Sequence, residues 1–370
     1  MPPPDNSSAL KLNPVLATLP VYQPGRPIEE VARELGLPAA DIIKLASNEN
    51  PFGPSPLALA AMEKALRQTN LYPDGNAFYL KGALAQKLGV ETANLAVGNG
   101  SNEIIEFAAR ALLAPGDDVV MSQFCFAVYP IVTKMAGANP VVVPAKDYGH
   151  DLPAMLRAVT PKTKIIFVAN PNNPTGTLVP RAELLRFVEQ VPSNVLLLMD
   201  EAYIEFLEDA PDLLPLIRSG KKNLLLMRTF SKIYGLAGLR VGYGIGPADL
   251  IAGLEKIRQP FNLNLIAQAG ALAALEDAEH LQRTHANNLA GLKFYEDAFR
   301  ALQLEFVPSS ANFILVCVGE GQQVWSGMQQ LGVITRLMAG YQLPKWIRIS
   351  IGTPAENSRC LAALKKVLGR

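Results

Sequence analysis

The sequence has few cysteines, few histidines and no long hydrophobic run. Its three cysteines, Cys125, Cys317 and Cys360, are odd in number and far apart, which excludes a disulfide framework and predicts a reducing, cytoplasmic setting. The three histidines form no HExxH motif, and no CxxC or GxSxG motif occurs. These absences disfavour a metal site and a hydrolase built on a Ser-His-Asp triad.

The charges of the chain nearly cancel. It has 34 Lys+Arg and 33 Asp+Glu, a formal net charge of +1, so it shows no electrostatic footprint for nucleic acid or for an acidic membrane surface. Its longest apolar runs have the length of strands, not of membrane spans, and the N-terminus has no secretory signal. We therefore expect no nucleic-acid partner and no membrane association.

The chain of 370 residues is long enough for two domains. Residues 1–45 are proline-rich and read as an arm, with one helical stretch near Ile28–Leu35. In residues 46–260, apolar strand-like runs alternate with helix-like segments, which predicts a large α/β domain. Residues 261–370 begin with a long helical region, Leu265–Leu302, and continue with three short strands and a last helix, which predicts a smaller α+β domain.

Polar residues follow four of the predicted strands, where ligands bind in open α/β sheets. The segments are Gly98–Asn102, Asn170–Gly176, Asp200–Tyr203 and Thr229–Arg240. Taken singly, each has an ordinary structural explanation: a tight turn, a rigid loop, a helix cap or a solvated lysine. Together they supply a phosphate cradle, an asparagine loop, a buried acid and a lysine flanked by apolar residues. Pyridoxal phosphate is a cofactor that uses all four features.

Five motifs carry a resemblance to a known family. They are LASNENPFGPS (45–55), NPNNPTG (170–176), DEAY (200–203), TFSKIYGLAGLR (229–240) and RISIGT (348–353). In these the chain resembles the fold-type-I, class-II aminotransferases, which depend on pyridoxal 5'-phosphate, and among them it is most similar to the histidinol-phosphate aminotransferases. The resemblance implies a mostly parallel central sheet flanked by helices, a smaller α+β C-terminal domain and an N-terminal arm.

By this resemblance, the chemical steps belong to three catalytic residues. Lys232 binds the cofactor as a Schiff base and later moves a proton, and Asp200 pairs with the pyridinium nitrogen. Tyr203 and Asn173 hydrogen-bond the phenolic oxygen, and Asn173 also contacts the substrate. Phe124 stacks on the cofactor ring. The resemblance assigns the phosphate to Ser101, Asn102, Ser231 and Arg240.

The resemblance also implies substrate and subunit contacts. Arg348, Arg336 and Tyr22 match residues that bind the anionic end of the substrate. Tyr72 resembles a tyrosine that reaches the cofactor phosphate of the neighbouring subunit, which implies a homodimer. The implied reaction converts histidinol phosphate and 2-oxoglutarate into imidazole-acetol phosphate and glutamate, in ping-pong fashion, as a step of histidine biosynthesis.

Four alternatives remain open at the level of sequence. An aromatic or broad-specificity amino-acid aminotransferase shares the same motifs, and so does a decarboxylase of similar fold. A non-catalytic regulator needs a DNA-binding domain, for which residues 1–45 are too short and too rich in proline. A nicotinamide dehydrogenase needs a glycine fingerprint that is incomplete in Gly98–Asn102.

Overall fold

The computed structural model describes residues 10–19, 21 and 25–370. Its helices are α1 (Ile28–Leu35), α2 (Pro56–Leu66), α3 (Phe78–Leu88), α4 (Ser101–Leu112), α5 (Val128–Met135), α6 (Leu152–Arg157), α7 (Arg181–Gln190), α8 (Leu214–Arg218), α9 (Ala248–Glu255), α10 (Leu265–Ala274), α11 (Ala278–Ala301), α12 (Gly321–Gln330) and α13 (Pro354–Val367). Its strands are β1 (Ile43–Lys44), β2 (Leu95–Asn99), β3 (Asp118–Ser122), β4 (Asn139–Val143), β5 (Thr163–Ala169), β6 (Leu196–Asp200), β7 (Leu224–Thr229), β8 (Val241–Ile245), β9 (Phe306–Val307), β10 (Phe313–Cys317), β11 (Val333–Ile334), β12 (Arg336–Leu337) and β13 (Trp346–Ser350).

A seven-stranded sheet forms the centre of the large domain, in the order β2-β8-β7-β6-β5-β3-β4. Strand β8 runs antiparallel to β2 and β7, and the other pairings are parallel. Side chains along a strand alternate between the two faces, so Leu197 and Met199 belong to one apolar core while Leu196 and Leu198 belong to the other. The expected α/β class with a mostly parallel sheet is confirmed.

The C-terminal lobe has its own sheet and core. Strands β12-β13-β10-β9 form an antiparallel sheet. The core of this lobe includes Tyr295 and Phe299 of α11 and Ile347 of β13. The helical region predicted over Leu265–Leu302 is two helices, because the Asp277 side chain accepts from the backbone N–H of His280 at 3.1 Å and begins α11.

The segment before the large domain attaches to the C-terminal lobe. Helix α1 has the predicted bounds, and β1 pairs in parallel with β11, so that Ile43 lies opposite Val333. Leu45 packs in the core of the C-terminal lobe. The boundaries 1–45, 46–260 and 261–370 stay a prediction. In the described part of the chain, no helix combines the length and apolar character needed to cross a bilayer.

Candidate active site

A cavity of about 250 Å³ opens at the carboxyl ends of β5, β6 and β7 and is bounded by the C-terminal lobe. Parallel strands place the residues that follow them at one edge of the sheet, so segments far apart in sequence meet here. The predicted site residues that line it are Ser101, Asn102, Asn173, Asp200, Tyr203, Ser231, Lys232, Arg240, Arg336 and Arg348. The structure thus brings ten of the predicted side chains to one place.

Lys232 lies in the loop that follows β7 and reaches into this cavity. Its Nζ donates to the backbone oxygen of Ser47 at 3.3 Å. Burial, together with the nearby guanidinium of Arg348, lowers the pKa of Lys232 to about 8, while the charge of Glu49 opposes the shift. A lysine with this pKa is partly neutral at physiological pH, which is what a nucleophilic amine requires.

Asp200 ends β6 and is only 7% exposed. Its Oδ2 accepts from the hydroxyl of Tyr129 at 2.7 Å, and its Oδ1 accepts from the backbone N–H of Ala202 at 3.0 Å. Burial raises the pKa of Asp200 to about 6, against the hydrogen bonds from Tyr129 and Ala202 and the charge of Lys232. The carboxylate therefore has neutral hydrogen-bond donors and is suited to a cationic group of a ligand.

Tyr203 and Asn173 are held by hydrogen bonds from other segments. The Tyr203 hydroxyl accepts from Asn48 Nδ2 at 2.9 Å, and its ring meets the Phe313 ring edge-on at a centroid distance of 5.4 Å. Burial raises the pKa of Tyr203, so its hydroxyl stays protonated. Asn173 Oδ1 accepts from Arg348 Nη1 at 2.6 Å. Both polar groups are fixed in direction before any ligand binds.

An anion cradle forms where β2 leads into α4. Ser101 and Asn102 are the first residues of α4, whose N-terminal amides favour negative charge. Arg240 Nη1 donates to Ser231 Oγ at 3.3 Å beside them. Gly100 has φ +80°, and a Cβ there would overlap the Arg240 guanidinium; a Cβ at Gly242 would overlap the backbone of Ser101. The glycines leave room for this close approach, which suits a phosphate.

Two arginines face the cavity from the C-terminal lobe. Arg336 on β12 lies directly opposite Arg348 on β13 in the antiparallel register. Arg348 is 6% exposed, and its Nη2 donates to the backbone oxygen of Ala46 at 3.0 Å. Its guanidinium also lies over the Phe313 ring, 4.9 Å from the centroid. Adjacent guanidinium groups on a rigid sheet form a binding position for an anion.

Two predicted site residues lie elsewhere, and a third is not described by the structure. The Phe124 ring packs in an apolar cluster of the C-terminal lobe with Leu315 and Trp346, whereas the nearby Phe126 does line the cavity. Tyr72 is 83% exposed, and its ring stacks on that of Phe261 at a centroid distance of 4.7 Å. It does not line the cavity of the same chain. Tyr22 lies outside the described residues. The roles assigned to these three residues stay predictions.

Four residues in or beside the cavity were not among the predicted site residues: Asn48, Glu49, Phe126 and Tyr129. Asn48 lies in the motif LASNENPFGPS, whose polar residues were a usable signal in the sequence. In the structure Asn48 is buried, and a buried asparagine needs hydrogen-bond partners. Tyr129 lies in the first turn of α5, and its link to Asp200 spans 71 residues. No local pattern reveals such a contact.

The chain is similar in sequence and in structure to known proteins. The family model described as aminotransferase class I and II matches residues 40–364. A histidinol-phosphate aminotransferase of Akkermansia muciniphila is 54% identical over 95% of this chain and 96% of its own length, and histidinol-phosphate aminotransferase 2 of Pseudomonas fluorescens is 51% identical over 96% and 97%. A crystal structure of histidinol-phosphate aminotransferase from Sinorhizobium meliloti in complex with pyridoxal-5'-phosphate is similar with a TM-score of 0.88 and 32% identity, over 98% of this chain and 99% of that one.

Proposed function

The chain belongs to the aminotransferase class I and II family, and from this premise we propose that it is a pyridoxal-phosphate-dependent histidinol-phosphate transaminase. The proposed reaction converts histidinol phosphate and 2-oxoglutarate into imidazole-acetol phosphate and glutamate, a step of histidine biosynthesis. Relatives of that name at 48–54% identity over nearly the whole chain support this substrate, and the Sinorhizobium meliloti complex supports the cofactor. The family resemblance drawn from the sequence is confirmed.

The observation that carries the proposal is the meeting of Lys232 and Asp200 in one cavity, with the anion cradle of Ser101, Asn102, Ser231 and Arg240 beside them. Each of these groups fits a part of pyridoxal phosphate: an amine for the aldehyde, an acid for the ring nitrogen and a cradle for the phosphate. When bound, this cofactor supplies an aldehyde that condenses with amines and a ring that accepts electrons from the substrate carbon.

The residues of the chain then bind, orient and move protons. Lys232 Nζ would take the proton from the α-carbon of the substrate, because its lowered pKa lets the neutral amine act as a base, and would pass it to the cofactor carbon that receives the amino group. Asp200 keeps the ring nitrogen protonated by ionic pairing. Tyr203 and Asn173 orient the ring through its phenolic oxygen, and Phe126 lines the cavity as an aromatic neighbour.

The substrate's anion is assigned to the two arginines. Glutamate presents a carboxylate and histidinol phosphate presents a phosphate, so one position must bind both in turn. Arg348 is held rigidly by Asn173 and Ala46, and Arg336 adds a second guanidinium next to it. Two guanidinium groups match a phosphate dianion better than one does. Tyr22 remains a predicted further contact to this anion.

The active unit is proposed to be a homodimer in the cytoplasm. Residues 71–79 expose four large apolar side chains, Leu71, Tyr72, Phe78 and Tyr79, and the exposed Phe261 stacks on Tyr72 beside them. Exposed clusters of this kind are typical of interfaces, and a second copy of the chain that covers it would allow Tyr72 to reach the partner's cofactor phosphate. The unpaired thiols Cys125, Cys317 and Cys360 support a reducing compartment.

Steady-state kinetics with a small panel of amino donors test the substrate. We expect kcat/KM for histidinol phosphate to exceed that for phenylalanine by about 100-fold, since loss of a bidentate phosphate contact removes a charge-assisted interaction. The variant Arg336→Gln is expected to raise KM for histidinol phosphate more than KM for glutamate. Equal kcat/KM for the two amines would indicate a broad-specificity transaminase, and release of carbon dioxide would indicate a decarboxylase.

A further inference from the structure

Tyr129 is a fully buried tyrosine whose hydroxyl meets the carboxylate of Asp200. The distance from the Tyr129 oxygen to Asp200 Oδ2 is 2.7 Å, and Tyr129 is 0% exposed. Its ring stacks on Phe167 of β5 with a centroid distance of 4.4 Å and an interplanar angle of 8°. The hydroxyl therefore contacts Asp200 from the buried interior of the domain and not from the cavity.

The position of the hydroxyl limits what Tyr129 can do. Tyr129 does not line the cavity, so it acts on a ligand through Asp200. Burial and the adjacent Asp200 charge raise the pKa of Tyr129 far above its usual value, so the phenol remains a neutral donor at every working pH. A neutral donor stabilises the charged carboxylate without neutralising it, whereas an arginine in its place would compete with a cationic ligand.

We propose that Tyr129 is a positioning residue that keeps Asp200 ionised and directed into the cavity, and so sets the lowest pH at which the site holds pyridoxal phosphate tightly. The proposal rests on the proposed function, since it takes the ring nitrogen of the cofactor to be the partner of Asp200. It concerns a residue of α5, which the sequence motifs do not include.

The groups that face this pair come from several elements. Lys232 after β7 favours the charged carboxylate, and Glu201, the next residue along the chain, disfavours it. Cys125 and Tyr203 lie near the Tyr129 hydroxyl, and both remain protonated because burial raises the pKa of each. Near neutral pH, the Asp200 carboxyl is therefore the group of the pair itself that changes charge.

The test uses pyridoxamine 5'-phosphate, which lacks the aldehyde and so reports on the ring and phosphate contacts without the covalent bond to Lys232. Its dissociation constant is measured by fluorescence for the apo form of the full chain and for Tyr129→Phe, over roughly pH 5 to pH 8. The variant keeps the ring that stacks on Phe167 and loses only the hydroxyl. The probe's own titrations are common to both proteins, so they cancel in the ratio of the two dissociation constants.

We expect the affinity of the wild-type protein to fall as the pH drops through about 6, the pKa of Asp200. In Tyr129→Phe this fall should begin about one pH unit higher, because a hydrogen bond to a charged group is worth about that much. The ratio of dissociation constants is then near one at the alkaline end, about fivefold at pH 6 and about tenfold near pH 5. A ratio that is the same at every pH, even if large, would show a purely structural role and overturn the proposal.

Two controls separate the possible failures. Tyr295→Phe also removes a fully buried hydroxyl, but in the core of the C-terminal lobe, and should leave the ratio at one. In an Asp200→Asn background, Tyr129→Phe should produce no further change with pH, because the titrating group is gone. If the wild-type protein binds neither pyridoxamine 5'-phosphate nor pyridoxal 5'-phosphate, the proposed function fails; if it binds both but the variant follows the same pH profile, only this inference fails.

Discussion

The end of β6 places two buried acids on opposite sides of the central sheet, and their environments differ. Asp200 faces the side of α5 and the cavity, where its hydrogen-bond donors are the hydroxyl of Tyr129 and a backbone amide. Glu201, the next residue, is 2% exposed, and its Oε2 accepts from Arg228 Nε at 2.8 Å. One acid has a cation from the protein, and the other has neutral donors.

The difference separates a structural acid from a functional one. A buried carboxylate is unfavourable unless a cation or several donors stabilise it, so the Glu201–Arg228 pair meets the ordinary requirement within the fold. Asp200 is stabilised less, which leaves it available for a cation that arrives with a ligand. Composition and periodicity do not distinguish these neighbours; the partners that the fold brings to them do.

Among substitutions in the cavity, those at Lys232 are expected to reduce activity most. We expect Lys232→Ala to lower kcat by about 10⁴-fold or more, because it removes both the nucleophile and the proton carrier. Lys232→Arg keeps the charge but should fail as well, since a guanidinium does not deprotonate. Steady-state transamination assays check this, with Lys222→Ala as a surface control. Appreciable turnover in either Lys232 variant would refute the assignment.

The next largest effect is expected for Asp200→Asn. The amide keeps the shape of the side chain but loses its charge, so kcat should fall by about 100-fold to 1000-fold, the range seen when one aligned electrostatic contact is lost. The matched change on the other side, Glu201→Gln, should leave kcat per folded molecule within about tenfold. If the two variants lose activity equally, the distinction between the two acids is wrong.

For stability, we expect the opposite order: Glu201→Gln should be more damaging than Asp200→Asn. Glu201→Gln leaves the Arg228 guanidinium buried without its carboxylate, and we expect the free energy of unfolding to fall by about 3 kcal/mol. Replacing both residues, as in Glu201→Leu with Arg228→Met, should recover most of this loss, because a buried ion pair and an apolar pair are often of similar stability. Denaturant unfolding monitored by circular dichroism measures both. Recovery by the pair of substitutions distinguishes lost pairing from lost packing.

Asp200→Asn should instead stabilise the apo protein, and only above a certain pH. The pKa of Asp200 is about 6 in the folded protein and 3.8 as the usual value, so between these the folded state binds the extra proton and stability falls as pH rises. Above about pH 6 the full cost is present, up to ~3 kcal/mol, and the variant escapes it. Unfolding free energies of both proteins should converge near pH 4. A difference that is independent of pH would contradict this reading.

The fold and the cofactor side of the site were largely predictable from sequence, for a physical reason. Strand-length apolar runs such as Ile165–Val168 and Leu196–Met199 fit the buried central strands of a sheet that is covered on both faces. The polar residue after such a run, Asp200 for example, must then lie at the carboxyl edge. The length and apolar character of such a run therefore indicate both the strand and the place of the residue that follows it.

Contacts between distant segments could not be predicted in this way. The hydrogen bonds from Asn48 to Tyr203 and from Tyr129 to Asp200 depend on how the segment after β1 and helix α5 pack, which no local pattern encodes. Phe124 and Phe126 are two residues apart and equally aromatic, so composition does not decide which one lines the cavity. The division of Leu265–Leu302 into two helices depends on the cap at Asp277, which the apolar spacing alone did not reveal.

The central claim is that the amine of Lys232 holds the cofactor, and borohydride reduction tests it most directly. The full-length protein is loaded with pyridoxal phosphate, reduced so that the cofactor becomes permanently attached, digested, and analysed by peptide mass spectrometry. The account predicts one labelled peptide, which contains Lys232 within the segment Thr229–Arg240. Absence of a labelled peptide, or a label on another lysine, would contradict it.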